Sequence, residues 1–425
     1  MTIQRVKGMY DLGPEETPTW QRVESVAIEQ LQSYGFREIR LPLLEKSELF
    51  SRAIGQETDV VSKEMYAFQD LGGDQLSLRP EGTAGCVRAA IAGGLLNLHS
   101  QKLWYSGPMF RRENVQRGRN RQFYQIGAEV FGLEGPDVDA EMIVMLTRCW
   151  EQLGLTGLTL EINSLGTPDS RRRYREELVN YLRGRFDELD EDSRRRLDLN
   201  PLRVLDSKRP EMQGVIEDAP SLLEYLDEGS AEHFAELRSA LDSVQVAYVV
   251  NERLVRGLDY YTRSVFEFKT EELGSQGTVC AGGRYDGLVE MIGGPPTPGV
   301  GFSMGVDRLV ALMDVQERSE SGAAPDAYLV ARGAAAEREA FVLADTLRRE
   351  LPGLRITQNL GGGSFKAQFK RADKSGARWA LVLGEGEVAE GTVQVKPLRE
   401  DSPALTVPRT ELKQTLARDG QADGG

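Results

Sequence analysis

The stretch 103–132, LWYSGPMFRRENVQRGRNRQFYQIGAEVFG, constrains the chain more than any other. It predicts two strands joined by a long basic loop. Side chains alternate along a strand, so the first run would carry Met109, Arg111 and Glu113 on one face, with Phe110 and Arg112 on the other. The second would carry Phe123, Gln125, Gly127, Glu129 and Phe131 on one face, and Tyr124, Ile126, Ala128 and Val130 on its reverse. One shared line then holds two carboxylates, an arginine, an amide and an aromatic ring. A solvated face rarely carries Phe there, and a core face rarely carries Glu and Arg. A half-exposed hairpin with a charged face is the bland alternative; this mixture favours a hairpin that binds a ligand.

Composition limits the chemistry available to such a hairpin. At 425 residues the chain predicts roughly two to four domains and a sizeable core. No run approaches the ~18 apolar residues of a membrane span, and the polar start (Gln4, Arg5, Lys7) leads into no apolar signal-peptide core. Cys86, Cys149 and Cys280 lie too far apart for a metal knuckle. With no disulfide framework to form, a reducing cytoplasm is the expected compartment. A net charge of −14 argues against non-specific grip on nucleic acid, which comes from neutralising phosphates. Local basic surfaces still exist: residues 111–121 hold five Arg against one Glu, and 364–378 hold five Lys or Arg against one Asp. The two histidines, His99 and His233, sit in no suggestive constellation. Chemistry therefore falls to arginines, carboxylates and bound metal.

Along the chain, residues 1–16 predict an extended lead-in and 17–34 an amphipathic helix, with Gly35 at its end. REIRLPLLE (37–45) predicts a strand at an edge or interface, because of Pro42. Strands over 65–70 and 75–82, joined through Gly72-Gly73, lead to a helix from Thr83 to about Leu96. After the hairpin come a helix over 138–153 and a strand over 158–164. Residues 167–222 predict a helical insertion, opened by Thr167-Pro168. Strands resume over 246–252, 265–270 and 278–286, and a helix starts near Gly305. This is an α+β signature. After a linker at 316–325 the pattern alternates strand (327–332), helix (338–350), strand (354–359), helix (365–374) and strands (377–384, 392–398), an α/β module. The closing GQADGG is expected to be disordered.

Several clusters carry chemistry. Arg111 can grip a phosphate with paired donors, Glu113 can accept from an exocyclic amine, and Phe123 offers a stacking face. Together they describe an adenine nucleotide held without a GxxxxGK[ST] loop, which the chain lacks. GVGFSMGVDRLVAL (299–312) is a glycine-dense strand entering a helix that bears Arg308. In RPEGT (79–83), Glu81 and Thr83 either orient an ammonium group or cap a helix, equally well locally. RGLDYY (256–261) and AGGRYDG (281–287) would pass as ordinary turns if they stood alone. GGGSF (361–365) opens a basic helix, a phosphate site or a plain connection.

Taken together these segments resemble the class II aminoacyl-tRNA synthetases, and among them the bacterial histidyl-tRNA synthetase family. GPMFRREN through GAEVFG is similar to class II motif 2, GVGFSMGVDRL to motif 3, and the first helix and strand through LPLLE to motif 1. LVRGLDYYTRSVFEF (254–268) and AGGRYDGL (281–288) resemble two peptides peculiar to the histidine enzymes.

The resemblance implies an antiparallel catalytic sheet with flanking helices in a domain over 1–320, containing the 167–222 insertion, and an anticodon-binding α/β domain over 326–425. It implies ATP-dependent ligation of L-histidine to tRNA(His) through a histidyl-adenylate, by a cytoplasmic homodimer that meets the acceptor end and the anticodon. Mg2+ is implied mainly through the ATP phosphates, with no protein metal site. By the same resemblance Arg111 holds the α-phosphate, Glu113 the adenine amine, Phe123 and Arg308 the base, and Arg119 the distal phosphates. Glu81, Thr83 and Gln125 would hold the histidine ammonium. Glu129 and Tyr261 would bond the imidazole nitrogens, Tyr260 would line the pocket, and Arg256 would sit near the reacting carboxylate and α-phosphate. The chain departs from the family pattern at Asn114-Val115, where Arg-Pro is usual, and at Tyr124, where a His is usual. The competing class is a non-catalytic paralogue, the regulatory subunit of ATP phosphoribosyltransferase. Such subunits generally lack the C-terminal domain and erode the catalytic arginines and the histidine-specific peptides.

Overall fold

The computed structural model describes residues 3–420, apart from 56–57, 98–99, 117, 200, 206, 208, 256, 275–276, 321 and 323. Residues 421–425 of the GQADGG segment lie outside the described residues. The chain divides into two compact units, Met1–Ser321 and Gly322–Gly425. No described helix is long and apolar enough to cross a membrane.

In the first unit the strands are β1 (Arg37–Glu38), β2 (Leu44–Lys46), β3 (Tyr66–Gln69), β4 (Gln75–Leu78), β5 (Gln101–Phe110), β6 (Gln122–Phe131), β7 (Thr159–Ser164), β8 (Val249–Val250), β9 (Thr262–Lys269), β10 (Thr278–Arg284) and β11 (Gly299–Gly305). Eight of them form one sheet in the order β1-β5-β6-β11-β10-β9-β7-β8. Its interior pairs are antiparallel, as anticipated, while both edges close with a parallel pair, β1 on β5 and β8 on β7. A separate sheet, β2-β4-β3, stands beside it.

Alternation along the hairpin decides where the cores lie. Ile126, Ala128 and Val130 face a cluster built with Trp20, Val23 and Val26 of helix Thr17–Ser33 and Met142, Ile143 and Leu146 of helix Pro136–Leu153. Phe131, Tyr105 and Met109 face the opposite way, into a second cluster shared with helix Thr83–Ala92 and the helical stretch 168–225. Each fully buried side chain of this size contributes about 1.5–3 kcal/mol, so a one-residue slip of register would cost the hairpin both cores at once.

Three sequence expectations change here. The strand over 37–45 is two fragments in two sheets, because Pro42 has no N–H to give a ladder and the chain crosses between sheets at that point. The strand over 246–252 shrinks to Val249–Val250. The unanticipated helix Glu228–Ser243 begins at Asp227, whose side chain accepts from the Ser230 N–H, and buries Phe234, Leu237 and Leu241. That spacing is helical, so the signal was present.

In the second unit β12 (Ala327–Ala331), β13 (Ile356–Gln358), β14 (Trp379–Leu383), β15 (Thr392–Pro397) and β16 (Leu405–Pro408) form a sheet ordered β13-β12-β14-β15-β16. The first three run parallel and the last two antiparallel. β12 is buried along its whole length because both faces are covered. Leu329 meets helix Ala334–Glu350, while Tyr328 and Val330 meet helix Phe365–Lys374. The GGGSF segment ends in a helix cap: the Ser364 hydroxyl accepts from the Ala367 N–H.

Candidate functional site

The β5–β6 loop, the turn before β9, the start of helix Thr83–Ala92 and the start of helix Val306–Val315 surround one cavity of about 340 Å3. Its wall includes Glu81, Thr83, Arg111, Glu113 and Arg119, and also Phe123, Gln125, Tyr260, Tyr261 and Arg308. Ten of the side chains singled out in the sequence thus meet in one place. Of the other two, Glu129 lies behind the wall, and Arg256 is outside the described residues.

One end of the cavity is cationic. Arg111 and Glu113 reach it from a loop rather than from alternating strand positions, since β5 ends at Phe110. The ladder stops because the Arg112 N–H bonds the Glu64 carbonyl at 2.7 Å and the Glu113 N–H turns back to the Arg111 carbonyl at 2.8 Å. Arg111 donates from Nε to the Pro80 carbonyl at 2.8 Å and lays its guanidinium 5.4 Å from the Phe123 ring centre. Arg119 pairs with Glu113. Arg308 donates to the carbonyls of Gly118 and Thr278. Burial, with repulsion from Arg119 and Arg111, brings the Arg308 guanidinium down to about 10. Three like charges held together in a half-buried wall favour an anion between them.

The other end is acidic and aromatic. The Glu81 carboxylate accepts from the N–H groups of Thr83 and Ala84, at 2.6 and 2.9 Å, so it caps the helix while facing the cavity. Burial pushes its pKa up. Gln125 Oε1 is buried on the wall with no hydrogen-bond partner among the described residues, an acceptor suited to a donor from the ligand. The rings of Tyr260 and Tyr261 pack against each other at a tilt of 47°, with their centres 4.7 Å apart.

Behind them Glu129 is fully buried. Its carboxylate accepts from Tyr105 Oη at 2.9 Å and from Tyr285 Oη. Burial raises its pKa to about 8, against the lowering effect of those two bonds. Backbone crowds this group: a Cβ at Gly301 would lie 1.7 Å from Glu129 Oε2, and one at Gly127 would lie 2.4 Å from the Tyr105 ring.

Tyr105 is a functional candidate that no sequence motif marked, whereas Tyr285 stands in the glycine-flanked Arg284-Tyr285-Asp286 of AGGRYDG, where its ligand could not be read. Tyr105 shares a face with Met109 by simple alternation, and Gly127, its cross-strand partner, was the available signal. Tyr285 is held by its neighbour. Arg284, with no exposed surface, pairs with Asp139 at 2.6 Å and donates to the carbonyls of Leu133 and Gly135. His233 completes this knot with Asp139 at 2.8 Å. Asp307 belongs to the wall too; it accepts from Tyr10 and from the Tyr124 N–H at 2.7 Å, tying the lead-in to the cavity. Among the described residues no group of three or more His, Cys, Asp or Glu side chains is placed to hold a metal ion.

Comparison with known proteins gives the arrangement a context. A family model described as histidyl-tRNA synthetase matches residues 8–309, and one described as an anticodon binding domain matches 326–419. A histidine–tRNA ligase of Halorhodospira halophila is 57% identical over 407 residues, covering 96% of each chain. The structure of apo S. aureus histidyl-tRNA synthetase superposes with a TM-score of 0.81 at 32% identity, over 98% of this chain and 100% of that one. An ATP phosphoribosyltransferase regulatory subunit/histidyl-tRNA synthetase from Bacillus halodurans matches with a TM-score of 0.65 over 90% of this chain and 99% of that one. At 22% identity that likeness is one of fold.

Proposed function

The chain belongs to the histidyl-tRNA synthetase family and carries out the ATP-dependent charging of tRNA(His) with histidine, and from that premise we propose how its cavity divides the work. ATP lies with its phosphates at the cationic end, among Arg111, Arg119 and Arg308, with Glu113 accepting from the adenine amine and Phe123 beneath the base. Histidine lies at the acidic end. Its ammonium group is held by Glu81, Thr83 and Gln125, and its imidazole by Glu129 and Tyr261 beside Tyr260. Arg256 approaches the reacting atoms. The observation that carries this division is the separation of charge: arginines repel one another at one end, while a buried Gln125 oxygen with no partner among the described residues and the helix-capping Glu81 face the other.

Chemistry follows from the division. The histidine carboxylate is itself the nucleophile, so adenylation requires no proton acceptor on the enzyme; one of its oxygens bonds the α-phosphorus and pyrophosphate departs. What the protein supplies is alignment of two anions and neutralisation of the charge that develops. Arg111 performs both. Mg2+ would arrive with ATP, held mainly by the substrate rather than by protein side chains, and would supply further neutralisation. In the second step the terminal ribose hydroxyl of the tRNA attacks the adenylate carbonyl and AMP leaves. Neutral imidazole has one donor and one acceptor. A site bonding both leaves an apolar competitor facing unpaired polar groups, which can reject it by a factor of roughly 10⁴–10⁵.

The unit from 326 onward binds the anticodon arm, and the β5–β6 loop with Asn114-Val115 meets the acceptor end. The reading places the enzyme as a homodimer in the cytoplasm. Its direct test is ATP–pyrophosphate exchange. Exchange that depends on histidine and on no other amino acid is expected; folded protein without it would favour the non-catalytic class. Sedimentation of the purified chain tests the dimer.

A further inference from the structure

The helical stretch 168–225 interrupts the catalytic sheet between β7 and β8, yet its interior is continuous with the amino-acid end of the cavity. Tyr174 and Leu178 of helix Pro168–Gly184 belong to the same apolar cluster as Tyr260, Tyr261 and Tyr285. A segment sharing its core with a pocket cannot shift without disturbing that pocket, because close-packed interiors transmit displacement.

Polar contacts across this boundary are specific. Arg203 Nη2 donates to the Gly257 carbonyl at 3.1 Å, and Arg203 itself reaches the cavity wall. Arg171 Nη1 donates to the Asp259 carbonyl at 3.3 Å. In the opposite direction Arg253 donates to the carbonyls of Glu217 and Pro220, at 3.0 and 2.8 Å. Three guanidiniums therefore bind backbone carbonyls between the insertion and the segment 253–259. A planar guanidinium with several fixed donors restrains orientation as well as distance. The contact at 257 is tight: a Cβ there would stand 3.0 Å from Arg203 Nη2, so the guanidinium uses the room that glycine leaves.

We propose that the insertion acts as a clasp on the amino-acid pocket, with Arg203 and Arg171 as its positioning residues. They hold the 257–259 backbone so that Tyr260 and Tyr261, which follow directly, keep their tilted, packed arrangement for the imidazole. This rests on the reading that those two tyrosines receive histidine.

Histidine-dependent pyrophosphate exchange by the full-length enzyme, with KM measured separately for histidine and ATP, tests the clasp. Arg203→Ala is expected to raise the histidine KM roughly tenfold, the size of one hydrogen bond from a charged group, with the ATP KM within about twofold of wild type. Arg203→Lys, which keeps a donor and the charge, should recover part of the loss, and Arg171→Ala should repeat the pattern more weakly. An unchanged histidine KM in folded Arg203→Ala protein would overturn the proposal. So would an equal rise for ATP, which would place the guanidinium on the phosphates instead. If thermal unfolding shows that Arg203→Ala does not fold, Arg203→Lys and Arg171→Ala are read by the same split. Wild-type enzyme without histidine dependence would sink the pocket assignment itself, a result distinguishable from failure of the clasp.

Discussion

The two ends of the cavity solve opposite problems with the same physics. At one, cations are crowded until a guanidinium is held down near 10; at the other, a carboxyl is buried until it is held up near 8. Both shifts have burial as the first cause, and each end is most comfortable when its charge is lowered. They differ in what restores the balance. The arginines stand on a loop and a helix start and gain from any polyanion that fits between them. Glu129 is enclosed by two phenols and by glycine backbone, so its surroundings are set by shape and by the donors already in place. One end is built for charge and the other for shape and hydrogen-bond pattern.

Substitutions sharpen that contrast. The largest effect is expected from Arg111→Ala, which removes a preorganised charge from the transition state: exchange kcat should fall by about 10²–10³, with the histidine Kd in the absence of ATP nearly unchanged. Equal loss of histidine binding would erase the division. Glu129→Gln should raise the histidine KM roughly 10- to 100-fold, as for a hydrogen bond to a charged group, while sparing ATP. Matching losses for both substrates would contradict its place at the imidazole. Tyr285→Phe removes one donor that lowers the Glu129 pKa, so the pH profile of histidine KM should move to higher pH, with a loss of roughly 2- to 10-fold. An unmoved profile would separate Tyr285 from Glu129.

The same carboxyl leaves a trace in stability. Its folded pKa, about 8, lies above the usual carboxylate range. The folded state therefore binds the proton more tightly than the unfolded chain does. Its contribution is full below that range and is lost as pH rises towards 8. Denaturant unfolding should show this slope in the wild type and a flatter one in Glu129→Gln. The smallest change is expected from ending the chain before residue 322. Each unit has its own core clusters, so exchange should stay within about threefold of wild type, while charging of tRNA weakens and becomes more salt-sensitive. Undiminished charging would remove the anticodon role from the second unit.

How much of this was legible beforehand varied with the range of the interaction. Alternation placed Phe123, Gln125 and Glu129 on one face and Ile126, Ala128 and Val130 on the other, and the two cores divide along that line. The same rule failed two residues past β5, where the Glu64 carbonyl takes the Arg112 N–H. It failed again at 40–43, where a strand pattern spans a crossing between sheets. Tyr105 stayed hidden because its importance comes from Gly82 and Gly127, whose missing side chains leave room for its ring. Arg284, in a segment that reads as a turn, is a buried knot with Asp139, 145 positions away.

By itself the sequence determined the periodic faces and, through its peptides, the family, because those depend on residues close together along the chain. Only the tertiary structure decided that Glu129 withdraws behind the wall between two tyrosines, and that arginines from 171 and 203 reach the backbone at 257–259. Those outcomes depend on which distant segments share space once the core has closed, and no local pattern encodes that.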